Sequence, residues 1–114
     1  MKGQSMKKEE RTTQTEQEER IAQMELLMER ASEAVMQLSA ALDIMEEAQP
    51  GIAALDDYYG SQTWRQDFDD DASGLLPANL KRGVLSEDGI WNLLSDYREL
   101  MGRLQQTAAE ALGK

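Results

Sequence analysis

Three aspartates in the middle of the chain have the spacing of the first ligands in an EF-hand calcium loop. Asp67, Asp69 and Asp71 stand at positions 1, 3 and 5 of such a loop, where carboxylate oxygens bind Ca²⁺. The rest of the loop does not match, because Ala72 replaces the glycine at position 6 and Ala78 replaces the bidentate glutamate at position 12. We therefore predict no metal site and keep the three aspartates only as candidate ligands.

A second acidic group offers a different chemistry. Asp43, Glu46 and Glu47 fall within a predicted helix, and all-α nucleotide hydrolases bind Mg²⁺ through such carboxylates. Those enzymes also need a Glu-x-x-Asp pair on a following helix, which this sequence lacks. The chain has no cysteine and no histidine either, so thiolate nucleophiles and the commonest general base are absent. We predict a protein that is not an enzyme and has no catalytic residues and no cofactor, and keep a metal-dependent hydrolase using carboxylates as an alternative.

The net charge of −10 is concentrated in one segment. Residues 43–71 contain nine acidic residues and a single basic one, Arg65. Such a surface repels phosphate backbones, so we predict no nucleic-acid binding and favour a basic protein as partner. A second alternative follows from the same charge: an acidic inhibitor that mimics phosphates and occupies a nucleic-acid-binding protein.

Apolar residues recur along the first half of the chain at alternating spacings of three and four. This is the spacing of the a and d positions of a coiled coil, sustained over more than three heptads. Further apolar residues widen the stripe on one flank, which favours a helical bundle over a two-stranded zipper. Such a helix is not stable alone, so its stripe must be covered. We call this stripe the first seam; it comprises Ile21, Met24, Met28, Ala31, Val35, Leu38, Leu42 and Met45, flanked by Leu27, Ala34 and Ala41.

The boundaries of the first helix are predicted from its breakers. Residues 1–15 lack apolar periodicity and are predicted to be a disordered polar tail, followed by a single helical domain over residues 16–112. The first helix is predicted over residues 16–59. Pro50 removes a backbone hydrogen bond and clashes with the preceding turn, so we expect either a kink or a second helix that restarts there.

Glycine and serine delimit a connector over residues 60–85. Gly60 is expected to end the first helix, because glycine accepts the left-handed conformation found after helix C-termini. Ser61 is expected to cap a short helical turn, and Pro77 to open another that Gly83 closes. A structureless loop of this length is uncommon in a compact domain, so short helical turns are the expected content.

A clear helix start follows the connector. Ser86 is a strong N-cap, and Leu85 and Ile90 are placed to form a hydrophobic staple across it. The helix predicted over residues 86–112 carries a complementary apolar stripe with the same alternating spacing, which would let it pack antiparallel on the first. This second seam comprises Ile90, Leu94, Tyr97, Met101, Leu104, Ala108 and Ala111.

All six aromatic residues lie between positions 58 and 97. Aromatic rings carry large buried areas, so most are expected to form a small second core under the connector. Trp64 and Tyr58 are the rings we expect to line an exposed groove. Lys81 and Arg82 are expected to pair with the acidic segment. The candidate partner-binding residues are therefore Tyr58, Tyr59, Trp64, Phe68, Lys81, Arg82 and Trp91.

The connector resembles a known family. The residues that carry the resemblance are YYGS from Tyr58, Trp64, the Asp67-Phe68 pair, Asp71, Gly74, Leu76-Pro77, the run LKRGVLSED from Leu80, and Leu93-Leu94 with Tyr97. They are similar to an uncharacterised bacterial family catalogued only as a domain of unknown function, over roughly residues 20–103. The resemblance implies a small bacterial cytoplasmic protein and no particular activity.

These observations predict an all-α fold: an antiparallel helical hairpin that dimerises into a four-helix bundle. The predicted function is a non-enzymatic protein-interaction or adaptor module whose partners are a second copy and a basic or helical protein. The N-terminal residues lack the apolar stretch of a signal peptide, and no apolar run is long enough to cross a bilayer. We therefore expect a cytoplasmic protein that does not bind membranes.

Overall fold

A computed structural model describes residues 2–113 and the side chains of residues 10–113. All regular structure in this range is helical, which confirms the all-α class and the long first helix. Helix α1 spans Lys2–Tyr58, α2 spans Gln62–Ala72 and α3 spans Glu87–Ala111. A single 3₁₀ turn, Gly83–Leu85, precedes α3.

Helix α1 begins earlier than predicted, at Lys2 instead of residue 16. The segment before residue 16 is rich in Glu, Gln, Lys and Arg, which are good helix formers, so the lack of apolar periodicity does not prevent helix formation. The side chains before residue 10 lie outside the described residues. The disorder predicted for residues 1–15 stays a prediction.

Pro50 lies inside α1, which continues as one helix to Tyr58. The alternative in which a new helix restarts at the proline is therefore wrong. Proline lacks the N–H that would bond to the carbonyl of Glu46, but one missing bond does not end a helix. The predicted kink stays a prediction. Gly60 follows the helix with a φ of 80°, the left-handed conformation expected of it.

The chain divides into two compact units, Met1–Glu47 and Ala48–Lys114. In the described residues, the first unit contains only part of helix α1, and the members of the first seam are exposed apart from half-buried Met45. Met28 and Val35, near its centre, are 60% and 68% exposed. The prediction of one domain over residues 16–112 stays a prediction.

The second unit has the buried apolar core. The core contains Trp64 from α2, Leu85 from the 3₁₀ turn, and Ile90 and Leu94 from α3. Both members of the predicted staple, Leu85 and Ile90, are thus buried. The Ser86 hydroxyl caps α3 by accepting from the backbone N–H of Gly89 at 3.3 Å, which confirms the predicted helix start.

The connector contains more helix than predicted. Ser61 caps α2 as expected, because its hydroxyl oxygen accepts from the N–H of Trp64 at 3.1 Å. The helix it starts is 11 residues long and not a short turn. After Pro77, the N–H of Leu80 donates to the Pro77 carbonyl at 3.2 Å, closing the second predicted turn. Gly83 does not close this turn but begins the 3₁₀ turn.

Candidate functional site

Trp64 forms the centre of an aromatic cluster in the second unit. Its ring lies 5.1 Å from that of Tyr59 in an edge-on arrangement and 5.4 Å from that of Phe68. Its indole N–H donates to the carbonyl oxygen of Val84 at 2.9 Å, and only 6% of the residue is exposed. The expectation that Trp64 lines an exposed groove is therefore wrong, because a backbone carbonyl of the 3₁₀ turn satisfies its polar atom and lets the ring be buried.

Tyr58 joins the end of α1 to α2 through its phenol. The hydroxyl donates to Oδ2 of Asp67 at 2.6 Å. This hydrogen bond, burial of the phenol and the nearby carboxylate charge together raise the pKa of Tyr58 to about 12. The half-buried Tyr58 therefore holds two helices together, and its hydroxyl is engaged within the chain.

Replacing Tyr58 by phenylalanine is expected to lower the free energy of unfolding by about 1 kcal/mol at neutral pH, the usual net value of one hydrogen bond. The folded protein holds the phenol proton more tightly than the unfolded chain, whose tyrosines titrate near pH 10.0. The stabilisation is therefore complete below that pH and is lost as the pH rises to about 12. Urea denaturation between neutral and alkaline pH measures both effects.

Tyr59→Phe is the matched control, because no hydrogen bond of the Tyr59 hydroxyl exists among the described residues. Its alkaline loss of stability should match that of the unmodified protein. An equal loss for Tyr58→Phe would contradict the role assigned to the Tyr58–Asp67 bond.

The three candidate calcium ligands lie on helix α2 and not in a loop. Residues two apart on an α-helix are rotated by about 200°, so successive aspartates face nearly opposite directions. Asp67 accepts from Tyr58, and Asp71 is bound by Arg82. Within the described part of the chain, no three acidic side chains lie close enough to share a metal ion. The spacing of the aspartates matches an EF-hand in sequence, but an EF-hand needs these residues in a loop and here they lie on a helix.

The guanidinium group of Arg82 joins the segment between α2 and the 3₁₀ turn to the end of α2. Its Nε lies 2.7 Å from Oδ1 of Asp71, and its Nη2 donates to the carbonyl of Pro77 at 2.8 Å. Arg82 therefore pairs with the acidic segment as expected. Lys81 does not, because no ion pair of this residue is found among the described side chains. Of the two adjacent cations, only Arg82 is fixed by the fold.

A comparison with known families matches residues 21–106 to a family described as a domain of unknown function (DUF4298). The chain belongs to this family. The match confirms the resemblance seen in the sequence and covers most of α1, the whole connector and most of α3. No curated protein and no solved structure was found to match.

The remaining aromatic candidates of this family member differ in exposure. Trp91 is 57% exposed on α3, and Phe68 lies at the edge of the aromatic cluster with 36% exposed. Tyr59 is half-buried against Trp64. Trp91 is therefore the most accessible ring among the partner-binding candidates.

Sequence reasoning missed two features of the second unit. Arg98 on α3 donates to Oδ1 of Asp56 on α1 at 2.8 Å, across 42 positions of sequence. An apolar groove of about 450 Å³ also lies where the end of α1, the 3₁₀ turn and the start of α3 meet. Gly83 and Gly89, which both line this groove, were its only sequence signal.

Among the described residues, no helix has the length and apolarity needed to cross a membrane.

Proposed function

We propose that the chain is a non-enzymatic helical interaction module that associates with a second copy through the first seam. The observation that carries this proposal is the exposure of that seam on α1, with Met28 and Val35 more than half accessible. Heptad-spaced apolar residues are the pattern by which helices pair through knobs-into-holes packing. From Ile21 to Met45 the seam is about 36 Å long at 1.5 Å per residue.

The charges beside the seam favour a second copy over an unrelated helix. Arg20 and Glu25 flank the seam five positions apart, which is the separation of g and e′ partners in a parallel, in-register pair. In such a pair, Arg20 of each chain would lie beside Glu25 of the other chain, giving two ion pairs. The acidic residues of the segment 43–71 lie mostly beyond the seam, so they oppose the pairing only weakly.

The end of α1 and the first half of α3 line two shared grooves, which supports the predicted hairpin. Leu55 and Ile90 line one groove, while Ile52 and Leu94 line another. Later residues of α1 thus face earlier residues of α3, the order expected of antiparallel helices. Two such hairpins paired through the first seam would give the proposed four-helix bundle.

The proposed adaptor role uses the surface that the second unit keeps exposed. Trp91 and Phe68 supply accessible rings, and Asp69 on α2 supplies an exposed carboxylate. A basic or helical protein remains the proposed partner. The hydrolase and phosphate-mimic alternatives gain no specific observation from the described residues, and we do not propose them.

Sedimentation equilibrium of the full chain is the direct test, and a concentration-dependent dimer is the expected result. The absence of native cysteine allows a second measurement of orientation. A single cysteine introduced as Ala31→Cys, at a d position of the seam, should form an interchain disulfide in a parallel pair. Ala40→Cys, on the opposite face, is the control and should not. A monomer at all accessible concentrations contradicts the proposal, whatever the cross-linking result.

A further inference from the structure

The groove at the start of α3 has an almost entirely apolar lining. Ile90 forms a buried part of the lining, while Val84 and Leu93 are 42% and 47% exposed. These two side chains therefore leave apolar surface in contact with water beside a ready-made depression. Its volume of about 450 Å³ falls within the usual range of ligand sites, about 300–1,000 Å³. The complete lining is Leu55, Lys81, Gly83, Val84, Gly89, Ile90 and Leu93.

Two glycines are part of the groove lining. At Gly89, an added Cβ would lie 3.1 Å from the carbonyl oxygen of Gly83, so a side chain there would press on the 3₁₀ turn. At Gly83, no atom lies within 4 Å of the position of a Cβ, and the residue does not have a positive φ. A side chain at position 83 would therefore meet no neighbouring atom and would not strain the backbone.

Lys81 gives the groove its only charge. Its ammonium group has no ion pair among the described side chains, whereas the neighbouring Arg82 is fixed by Asp71. An unpaired cation next to an apolar depression is complementary to an apolar group that carries a carboxylate beside it. Because the whole chain has a net charge of −10, a partner that is acidic throughout would be repelled. A segment with one carboxylate and otherwise neutral or basic residues would pair with Lys81 and would not be repelled by the chain as a whole.

We propose that this groove binds an amphipathic helical segment of another protein. A leucine-sized anchor of that segment would lie between Val84 and Leu93, and an adjacent carboxylate would pair with Lys81. Helices bind to apolar grooves in this way through a few anchors on one face. The site goes beyond the proposed self-association, because none of its lining residues belongs to the first seam.

Selection from a displayed library of single-helix peptides with random surface residues tests this proposal. The full chain is the target, and the selected peptides are compared on the Gly83→Leu variant, because Gly83 lines the groove and leucine adds a side chain there. Gly102→Leu is the matched control, since its Cβ also enters open space on α3 and the residue lies outside the groove. Selected peptides are then titrated into each variant, and the amide shifts of Val84, Ile90 and Leu93 are followed.

The expected result is a set of peptides with apolar anchors and a neighbouring Asp or Glu. Gly83→Leu should weaken their binding by at least about tenfold, as expected when a central anchor loses its pocket, and Gly102→Leu should have no effect. Lys81→Glu should weaken binding and favour peptides with lysine in place of the acid. An unchanged near-ultraviolet circular dichroism spectrum of the aromatic residues shows that each variant is folded.

Four results would overturn the proposal. The first two are a selection that yields no peptide and peptides that bind Gly83→Leu as well as the unmodified protein. The third is a preference for lysine, in place of an acidic residue, beside the anchor in peptides selected on the unmodified protein. The fourth is that decanoate, a small fatty acid, shifts the groove amides while no peptide does. A loss of self-association in Gly83→Leu would instead place a second copy in the groove. Peptide titration of a variant with a disrupted first seam separates the two sites, because its failure to dimerise leaves the groove intact.

Discussion

Lysine in place of both Met28 and Val35 is expected to convert the proposed dimer into a monomer. Both residues occupy a positions at the middle of the first seam and are more than half exposed in the single chain. Burying one such side chain contributes about 1.5–3 kcal/mol, and each dimer would lose four of them. The association constant should therefore fall by at least about a thousandfold, since 1.4 kcal/mol corresponds to a factor of ten. Sedimentation equilibrium measures this change directly.

The same helix supplies a closely matched control. Leu26 and Met36 are 52% and 72% exposed but lie off the seam, at f and b positions of the heptad. Changing both to lysine adds the same charge to the same helix and removes a similar apolar area. This control variant should remain dimeric. Equal weakening by the two double variants would show that charge or helix stability, and not the seam, controls association.

Trp64→Ala is expected to cause the largest loss of stability of any single change in the second unit. Removing this buried ring takes away its contacts with Tyr59 and Phe68 and leaves a cavity, which for large aromatic residues costs about 3–5 kcal/mol. Urea denaturation at fixed protein concentration should show this decrease. Trp64→Phe should separate the hydrogen bond from the packing, because it keeps a ring but leaves the carbonyl of Val84 unpaired, at a cost of about 1–3 kcal/mol.

Trp91→Ala is the control for the loss of a tryptophan as such. Trp91 is mostly exposed and has no ring contact among the described aromatic residues. Its removal should change the free energy of unfolding by no more than about 0.5 kcal/mol, as is usual for surface positions. Comparable losses for the two tryptophans would contradict the assignment of Trp64 as the centre of this core.

The starts of α2 and α3 and the end of α1 were predictable because they depend on neighbouring residues. The hydroxyls of Ser61 and Ser86 each accept from the backbone N–H three positions later, at the start of a helix. Gly60 adopts the left-handed conformation that its lack of a side chain permits. The heptad spacing of the first seam likewise follows from residues within one helix. These features need no knowledge of how distant parts of the chain meet.

Long-range partners were not predictable in the same way. The burial of Trp64 depends on a carbonyl oxygen twenty positions later, at Val84, and no pattern in the sequence links the two. The alternate aspartates of α2 could be distinguished from a calcium loop only once the backbone was known to be helical. The groove of Lys81 and Leu93 is likewise formed by residues whose proximity depends on the 3₁₀ turn.

The indole-to-carbonyl bond of Trp64 also bears on the order in which the protein forms. It closes a loop of only twenty residues, and the caps of α2 and α3 join residues three positions apart. Chains dominated by such local contacts fold within microseconds to milliseconds, whereas subunit assembly takes milliseconds to minutes and depends on concentration. The second unit can therefore complete its core on a newly made chain before two first seams meet. Synthesis would yield folded groove-bearing monomers first, and the proposed dimers would accumulate only as the number of chains grows.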